Sequence, residues 1–156
     1  MMTKWRLLLI MSFILIAPSV FLADTSDAAW GTTTLDSTGD TGQYTSIEVG
    51  TSGAVYISYY DNASSDLEYA TNVSGAWVTT TLDSAGAKGQ YTSIAVGTSG
   101  AAYISYLDVT NTNLMYATNV SGSWGTTTVD SATSADTGQF SSIAVGTSGA
   151  AYISYL

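Results

Sequence analysis

The sequence predicts an all-β protein made of small antiparallel sheets that repeat along the chain. A unit of 47 residues begins at Trp30, again at Trp77 and again at Trp124, and the first two repeats are identical at 33 of 47 positions without a gap. Within each repeat, short runs rich in Thr, Val, Ile and Tyr alternate with turns that contain Gly and Asp, which is typical of strands and hairpins. No segment of the repeats shows the apolar stripe of a helix. The period therefore indicates an array of similar sheets that bury their apolar faces against one another.

Four strands are expected in each repeat. In repeat one they are residues 30–36, 44–49, 55–60 and 67–73. The first is rich in Thr, whose branched side chain favours extended structure, and the second alternates between apolar and polar positions. Gly50-Thr-Ser-Gly53 predicts a tight turn between the second and third strands, because Gly tolerates positive φ. Four strands joined by loops of this length form an antiparallel meander.

The third strand of each repeat distinguishes between architectures. Residues 55–60 place Val, Ile and Tyr on one face and Tyr, Ser and Tyr on the other, so both faces carry large apolar surface. A surface sheet would have one polar face, whereas sheets stacked around an axis, like the blades of a β-propeller, are covered on both faces. We therefore predict a β-propeller-type array of about 2.7 blades, at 30–76 and 77–123 with an incomplete third blade at 124–156.

This number of blades is below that of a closed propeller, which typically has four to eight. We expect that the sequence is part of a longer array. The alternative is a homo-oligomer in which several chains close one ring, which requires a symmetric arrangement. Uncovered blade faces and strand edges favour such association.

Residues 1–28 do not belong to the repeats and predict a secretory signal peptide. Two basic residues are followed by an almost entirely apolar stretch at 7–16, then by Pro18 and several small residues. Cleavage after this segment would leave 29–156, which consists of the repeats. The alternative is an uncleaved membrane anchor, for which the apolar stretch is at the short limit. We therefore expect a secreted protein, extracellular or at the cell surface.

The charge balance excludes several classes of partner. Beyond residue 28 the chain carries ten acidic residues and one base, Lys88. Such a surface repels nucleic acid and anionic lipid, whose binding requires clustered Lys or Arg. The sequence contains no cysteine and no histidine, which excludes disulfides and thiolate metal sites and removes the commonest general base. We predict no nucleic-acid partner and no membrane association after signal cleavage.

Two phrases of the sequence resemble a known type of repeat. YTSIAVGTSGAAYISYLD at 91–108 and LMYATNVSGSW at 114–124 resemble repeats of secreted bacterial and archaeal β-propeller proteins, which carry an ISYYD, LxYATN and GxW signature. Those proteins are grouped loosely with sialidase-like and fucose-lectin-like propellers. The resemblance covers residues 30–156 and implies the propeller fold. It leaves the function open, because such blades serve many roles.

The repeated tryptophans are candidates for ligand binding, since aromatic platforms with nearby Asp and Asn commonly hold neutral sugars. A glycan site that occurs once per blade would combine Trp77 with Asn72, Asp61 or Asp83. The full candidate set is Trp30, Trp77, Trp124, Asn72, Asn119, Asp61, Asp108 and Asp83. The alternative for each tryptophan is a packing role as the large anchor of its blade.

The aspartates that follow each first strand have a structural alternative. Asp36, Asp83 and Asp130 are each followed by Ser, and an Asp-Ser pair at a strand end usually caps a turn by accepting backbone N–H bonds. Calcium also takes carboxylate and carbonyl oxygens, but no Asp-x-Asp-x-Asp spacing occurs. We predict no cofactor, with calcium as the alternative.

An enzymatic function has little support in the residues. A glycosidase needs two carboxylates at a defined separation, and the only glutamates, Glu48 and Glu68, both lie in repeat one. We expect both to lie on the solvent side. The sialidase-like resemblance would imply an arginine cluster, and residues 29–156 contain no arginine.

The sequence thus predicts a secreted, non-catalytic repeat module for extracellular binding or adhesion, with carbohydrate or another cell-surface component as the ligand. The first alternative is a purely structural or self-assembling surface repeat. The second is part of a larger extracellular glycosidase-like protein, whose other blades would supply the catalytic residues.

Overall fold

Residues 31–131 and 137–156 are described by a computed structural model of the chain, and they contain strands but no helix. The predicted signal peptide at 1–28 and Trp30 lie outside the described residues. Thr33–Leu156 form one compact unit. The all-β prediction is confirmed for the described part of the chain.

The strands form three antiparallel sheets. Sheet one contains β1 (Gln43–Val49), β2 (Val55–Asp61), β3 (Asp66–Thr71) and β4 (Val78–Asp83) in that spatial order. Sheet two repeats the arrangement with β5 (Lys88–Val96), β6 (Ala102–Asp108), β7 (Asn113–Thr118) and β8 (Gly125–Asp130). Sheet three pairs β9 (Ser142–Val145) with β10 (Ala151–Ser154). Each four-stranded sheet is the meander that the loop lengths predict.

The sheets are out of phase with the predicted blades. The strand that opens a repeat forms the fourth strand of the preceding sheet: Val78–Asp83, at the start of repeat two, pairs with β3 of sheet one. The predicted strand at 30–36 is not a strand in its described part, because the described chain offers it no preceding sheet with which to form backbone hydrogen bonds. The boundaries at 30–76 and 77–123 therefore describe the sequence period and not the sheets.

The sheets stack face to face in chain order. β5 packs on β1, β2 and β3, and β9 packs on β5 and β6. The main apolar cluster joins sheets one and two, and its buried members are Tyr56, Leu67, Tyr69, Ile94, Ala102, Ile104, Tyr106, Met115 and Ala117. Since sheet two is covered on both sides, β6 is buried along its whole length, as the two-sided apolar pattern predicts.

Hydroxyl groups join sheet one to sheet two inside this interface. The Thr92 hydroxyl on β5 donates to Ser58 Oγ on β2 at 2.9 Å, and both residues are buried. The backbone N–H of Ile94 donates to Ser46 Oγ on β1 at 3.1 Å. Small hydroxyl side chains on sheet one thus satisfy donors of β5 that the contact removes from water.

The same contacts recur between sheets two and three. Ser105 and Ser141 are the counterparts of Ser58 and Thr92 one repeat later, and their hydroxyl oxygens lie 2.9 Å apart. The backbone N–H of Ile143 donates to Ser93 Oγ at 3.3 Å. The interface is therefore a structural element that repeats with the sequence.

A glycine lies at or just before the start of the first strand of each sheet, and in sheets two and three it permits the close approach of the preceding sheet. Gly89 has a φ of 102°, and a Cβ atom there would lie 2.7 Å from Leu67 Cα on sheet one. Gly138, with a φ of 97°, stands in the same relation to Leu114 Cα at 2.9 Å. Gly42 also has a positive φ, of 84°, but its Cβ position has no atom within 4 Å in the described structure. In sheets two and three, the space that corresponds to the one beside Gly42 is occupied by Leu67 and Leu114 of the preceding sheet.

Candidate functional site

The predicted ligand residues lie at the two opposite ends of the strands, where the turns and loops are. We call these two ends the edges of the sheets. Trp77 and Asn72 lie at the turn between β3 and β4, whereas Asp61 ends β2 and Asp83 ends β4 at the other edge. The six residues of β3 span the distance between the edges, which is about 17 Å at the usual rise of a strand. The structure therefore does not bring these four residues into one site.

The tryptophans have different environments. Trp124 is half-buried and packs edge-on against Tyr69 of sheet one, with ring centroids 4.9 Å apart. Trp77 occupies the equivalent position one repeat earlier and is 38% exposed, because the described chain has no sheet before sheet one to receive it. The packing of Trp124 is what the anchoring alternative predicts. Trp30 lies outside the described residues.

The two asparagines of the candidate set hold their own sheets together. Asn72 Oδ1 accepts the backbone N–H of Val55 at 2.7 Å, and Asn119 Oδ1 accepts that of Ala102 at 2.8 Å. Asn72 follows β3 and binds the start of β2, and Asn119 follows β7 and binds the start of β6. The separation of 17 residues in both repeats is the sequence signal for this role.

The three aspartates Asp36, Asp83 and Asp130 each accept a hydrogen bond from a tyrosine that lies further along the chain. The donors and acceptors are Tyr59 to Asp36 (3.0 Å), Tyr106 to Asp83 (2.7 Å) and Tyr155 to Asp130 (2.6 Å). Burial, and then the bond to Asp83, raises the pKa of Tyr106 above its ordinary value. These bonds between residues that are distant in the sequence are a role that local sequence patterns did not indicate.

The predicted capping role of these aspartates is confirmed for two of them. Asp36 Oδ1 accepts the backbone N–H of Thr38 at 3.0 Å, and Asp83 Oδ1 accepts that of Ala85 at 3.3 Å. The backbone bond from Thr38 is the main cause that lowers the pKa of Asp36. Both oxygens of the candidate ligand Asp83 are thus engaged, one by a turn and one by a tyrosine.

The candidate ligand Asp108 is part of a buried ion pair with Lys88. Lys88 Nζ contacts Asp108 Oδ2, and Asn111 donates to both carboxylate oxygens, from its backbone N–H (3.0 Å) and its amide (2.8 Å). Burial raises the pKa of Asp108, but the bonds from Lys88 and Asn111 outweigh it and hold the pKa below its ordinary value. Asp61, the counterpart in sheet one, instead accepts a bond from the Ser64 hydroxyl in its own hairpin. Both carboxylates are therefore engaged by the protein itself.

Glu68 on β3 is buried, whereas the sequence predicted that it lies on the solvent side. It is 8% exposed, and its carboxylate accepts a hydrogen bond from the Thr81 hydroxyl at 2.5 Å. Burial raises the pKa of Glu68 by more than the bond from Thr81 lowers it. The expected solvent-side position is wrong for Glu68 and right for Glu48, which is exposed. The apolar Met115 at the equivalent position of repeat two, a member of the core, was the available signal.

Replacement of Glu68 by Met, the residue of repeat two, is expected to stabilise the protein by about 1 kcal/mol at neutral pH. A raised pKa means that the folded state keeps the Glu68 proton to a higher pH than the unfolded chain does. The contribution of Glu68 to stability is then greatest below the ordinary pKa of about 4.3 and is lost as the pH rises through the folded pKa. The gain should therefore increase from acidic to neutral pH in urea titrations.

Glu48→Ala is the matched control for this substitution, since it also gives a glutamate of repeat one the residue of repeat two, but at an exposed position. We expect it to change the free energy of unfolding by no more than about 0.5 kcal/mol. Gains of equal size and equal pH dependence in the two variants would contradict the buried position of Glu68.

A cavity of about 250 Å³ opens on the face of sheet one that points away from sheet two. Its lining residues are Thr34, Leu35, Asp36, Thr41, Gly42, Thr45, Ile57 and Tyr59. In sheets two and three the corresponding space, beside Gly89 and Gly138, is occupied by a leucine of the preceding sheet. The cavity therefore corresponds to the space in which a preceding sheet packs, and its shape alone indicates no substrate.

The differences between repeats are concentrated at one edge of the sheets. Repeats one and two differ at 14 of 47 positions, and eight of these lie within 37–42 and 61–66. We call the edge formed by 37–42, 61–66, 84–89 and 108–113 the variable rim. In repeat three the first of these loops is two residues longer than in the other repeats.

Backbone hydrogen bonds make the variable rim continuous. The N–H of Asn62 donates to the carbonyl oxygen of Asp40 within repeat one, and the N–H of Lys88 donates to that of Ser65 across the two sheets, each at 2.9 Å. The loops that differ most between repeats therefore form one connected surface that extends over sheets one and two.

The opposite edge, which we call the constant edge, hardly changes between repeats. The sequence GTSGA forms three of its turns, at 50–54, 97–101 and 146–150. The remaining turns, NVSGAW and NVSGSW, differ at one position. The candidate residues Trp77 and Asn72 belong to the constant edge.

The described ranges contain no group of three His, Cys, Asp or Glu side chains placed to hold a metal ion. They also contain no helix that is long and apolar enough to cross a membrane. Comparison of the chain with protein-family models, with curated proteins and with solved structures gives no match.

Proposed function

We propose that this chain is a secreted, non-catalytic repeat module of the β-propeller type that binds carbohydrate through its variable rim. The observation that carries the proposal is the concentration of repeat-to-repeat differences at this edge. In repeat proteins the varying loops are often those of the binding face, whereas the framework stays constant because each unit must pack on the next. A purely structural array would need no such variation at one edge.

The propeller type is supported by the way the sheets stack. Consecutive four-stranded antiparallel sheets pack face to face, and the first strand of each later sheet makes the contact. The hydroxyl pairs of the interface recur from one sheet to the next. Blades around a propeller axis are arranged in the same way. Secretion is supported by the basic and apolar composition of residues 1–28.

The chemistry of the variable rim suits a neutral ligand that is rich in hydroxyl groups. Asp40 Oδ2 accepts hydrogen bonds from the side-chain amides of Asn62 (2.8 Å), which is exposed, and Gln43 (3.1 Å), which is half-buried. Carboxylate and amide groups held in this way can accept from and donate to vicinal hydroxyls. Lys88, the only base beyond residue 28, is buried, so an anionic ligand would meet acidic side chains without a compensating cation.

A glycan array with neutral and sialylated oligosaccharides tests the proposal on the full chain. We expect binding to neutral glycans and none to sialylated ones. The double variant Asp40→Ala with Asn62→Val gives the rim of repeat one the residues of repeat two, and it removes both partners of the exposed hydrogen bond. It is expected to weaken binding by about tenfold, which corresponds to about 1.4 kcal/mol.

Trp77→Ala is the matched control at the constant edge, and we expect it to leave the affinity within about twofold. Loss of binding in this variant alone would place the site at Trp77 and Asn72 instead of the variable rim. Absence of binding to every glycan, by a chain that unfolds cooperatively, would contradict the carbohydrate proposal and favour a structural role.

A further inference from the structure

Among the described residues, two sheet faces are not covered by another sheet, and they lie at opposite ends of the stack of sheets. On sheet one, the face that points away from sheet two exposes 63% of Ile47 and 59% of Val49. On sheet three, the face that points away from sheet two exposes 65% of Tyr152. We call them the first face and the last face. Apolar side chains exposed to this degree on a sheet face are typical of a surface that associates with another protein.

The first face has the chemistry of a surface that is buried elsewhere in the same chain. Thr45 and Ile47 stand where Thr92 and Ile94 stand in sheet two, and the latter pair is buried against sheet one. Thr92 and the backbone of Ile94 donate to serines of sheet one. The first face therefore carries the donor half of the inter-sheet contact.

The last face carries the acceptor half of the same contact. Ser142 and Ser154 are the counterparts of Ser46 and Ser58, which accept the donors of sheet two. Tyr152 is the counterpart of Tyr56, which is buried between sheets one and two. The two ends of the stack are thus complementary halves of an interface that the chain already forms twice.

A column of three aromatic residues, one from each repeat, runs along the stack of sheets, and the residue at each end of it is exposed. Tyr44 and Tyr91 have ring centroids 4.7 Å apart, and Tyr91 and Phe140 repeat the same separation. All three residues have a φ of 51–53°, and the rings of the two pairs are tilted by similar angles, 49° and 54°. Tyr44 is 39% exposed and Phe140 is 67% exposed. Each end of the column therefore presents a ring to the next aromatic residue.

We propose that the last face of one copy of this chain docks on the first face of a second copy, head to tail. The docked pairs are Ser142 with the N–H of Ile47, Ser154 with Thr45, and Phe140 with Tyr44. We assign a second copy as the occupant because, within the chain, the acceptor face of one sheet is covered each time by the donor face of the next repeat, which has nearly the same sequence. Such a heterologous contact builds rings or open chains of molecules. The proposal goes beyond carbohydrate binding, since it uses neither the variable rim nor the constant edge.

Sedimentation velocity over a hundredfold range of protein concentration tests the proposal with the full chain. We expect the weight-average mass of the wild type to rise to at least two chains. Ile47→Asp and Tyr152→Asp each place a charge in the docked interface without a partner, and each is expected to hold the protein at the mass of one chain. The matched controls are Val73→Asp and Val120→Asp, whose valines are 61% and 60% exposed and lie on turns of the constant edge. We expect the controls to associate like the wild type.

A mixing experiment separates head-to-tail docking from other association. An equimolar mixture of the Ile47→Asp and Tyr152→Asp variants retains one intact first face and one intact last face, so it should form a one-to-one dimer although neither variant associates alone. A wild type that keeps the mass of one chain throughout overturns the proposal. Association that survives in both face variants, or a mixture that stays monomeric, overturns it as well.

Discussion

Replacement of Lys88 by Met is expected to lower the free energy of unfolding by about 3–5 kcal/mol. Lys88 and Asp108 are 5% and 1% exposed and form an ion pair, so the substitution leaves a buried carboxylate without its cation. The two hydrogen bonds from Asn111 remain, but they do not neutralise the charge. Urea unfolding followed by far-ultraviolet circular dichroism measures the loss.

The double variant Lys88→Thr with Asp108→Asn is the control, because it removes both charges and gives position 88 the residue found at Thr41 and Thr137. We expect it to recover most of the stability, since removing both members of a buried pair costs far less than removing one. The advantage of the wild type over this variant should be present above about 3.9, the ordinary pKa of Asp, and should be lost as the pH falls through the lower pKa that Asp108 has in the folded state. A loss of less than about 1 kcal/mol in Lys88→Met would show that water reaches the carboxylate.

Replacement of Gly89 by Ala is expected to destabilise the protein by about 2–5 kcal/mol. A Cβ atom would lie 2.7 Å from Leu67 Cα, and φ at this position is 102°. Overpacking against a backbone atom costs about 1–3 kcal/mol, and the positive φ adds about 1–2 kcal/mol for a residue with a Cβ atom. Because Leu67 Cα belongs to β3, relief of the contact would require sheet two to move away from sheet one. The change is measured by the same urea titration.

Gly42→Ala separates the two contributions. Gly42 occupies the same position of repeat one and also has a positive φ, but nothing in the described structure lies within 4 Å of its Cβ position. We expect only the conformational cost, about 1–2 kcal/mol. Equal losses in the two variants would mean that the sheets do not meet at Gly89 as closely as the structure has them.

The positions of the strands were largely predictable from the sequence because strand formation depends on local patterns. Alternation along residues 44–49 and the apolar strand at 55–60 predicted β1 and β2 to within one residue. The two-sided apolar pattern also predicted that the central strands are covered on both faces, which holds for β6. These properties are encoded within a few neighbouring residues.

The roles of the candidate site residues were less predictable, since they depend on contacts between distant segments. The tyrosine bonds to Asp36 and Asp83 join residues that are 23 positions apart. Asn72 reaches Val55 over 17 positions. A local pattern identifies an aspartate or asparagine at a turn, but it does not identify the partner that occupies the side chain.

By itself, the sequence determined the all-β class, the 47-residue period, most strand positions and the acidic, cysteine-free character of the chain. Only the tertiary structure decided that each sheet takes its fourth strand from the next repeat, that Glu68 is buried, and that the repeats differ along one connected edge. Equivalent residues in nearly identical repeats have different environments, as Trp77 and Trp124 show. The physical reason is that burial depends on the sheet that packs against a residue, and that sheet is supplied by a neighbouring repeat rather than by the local sequence.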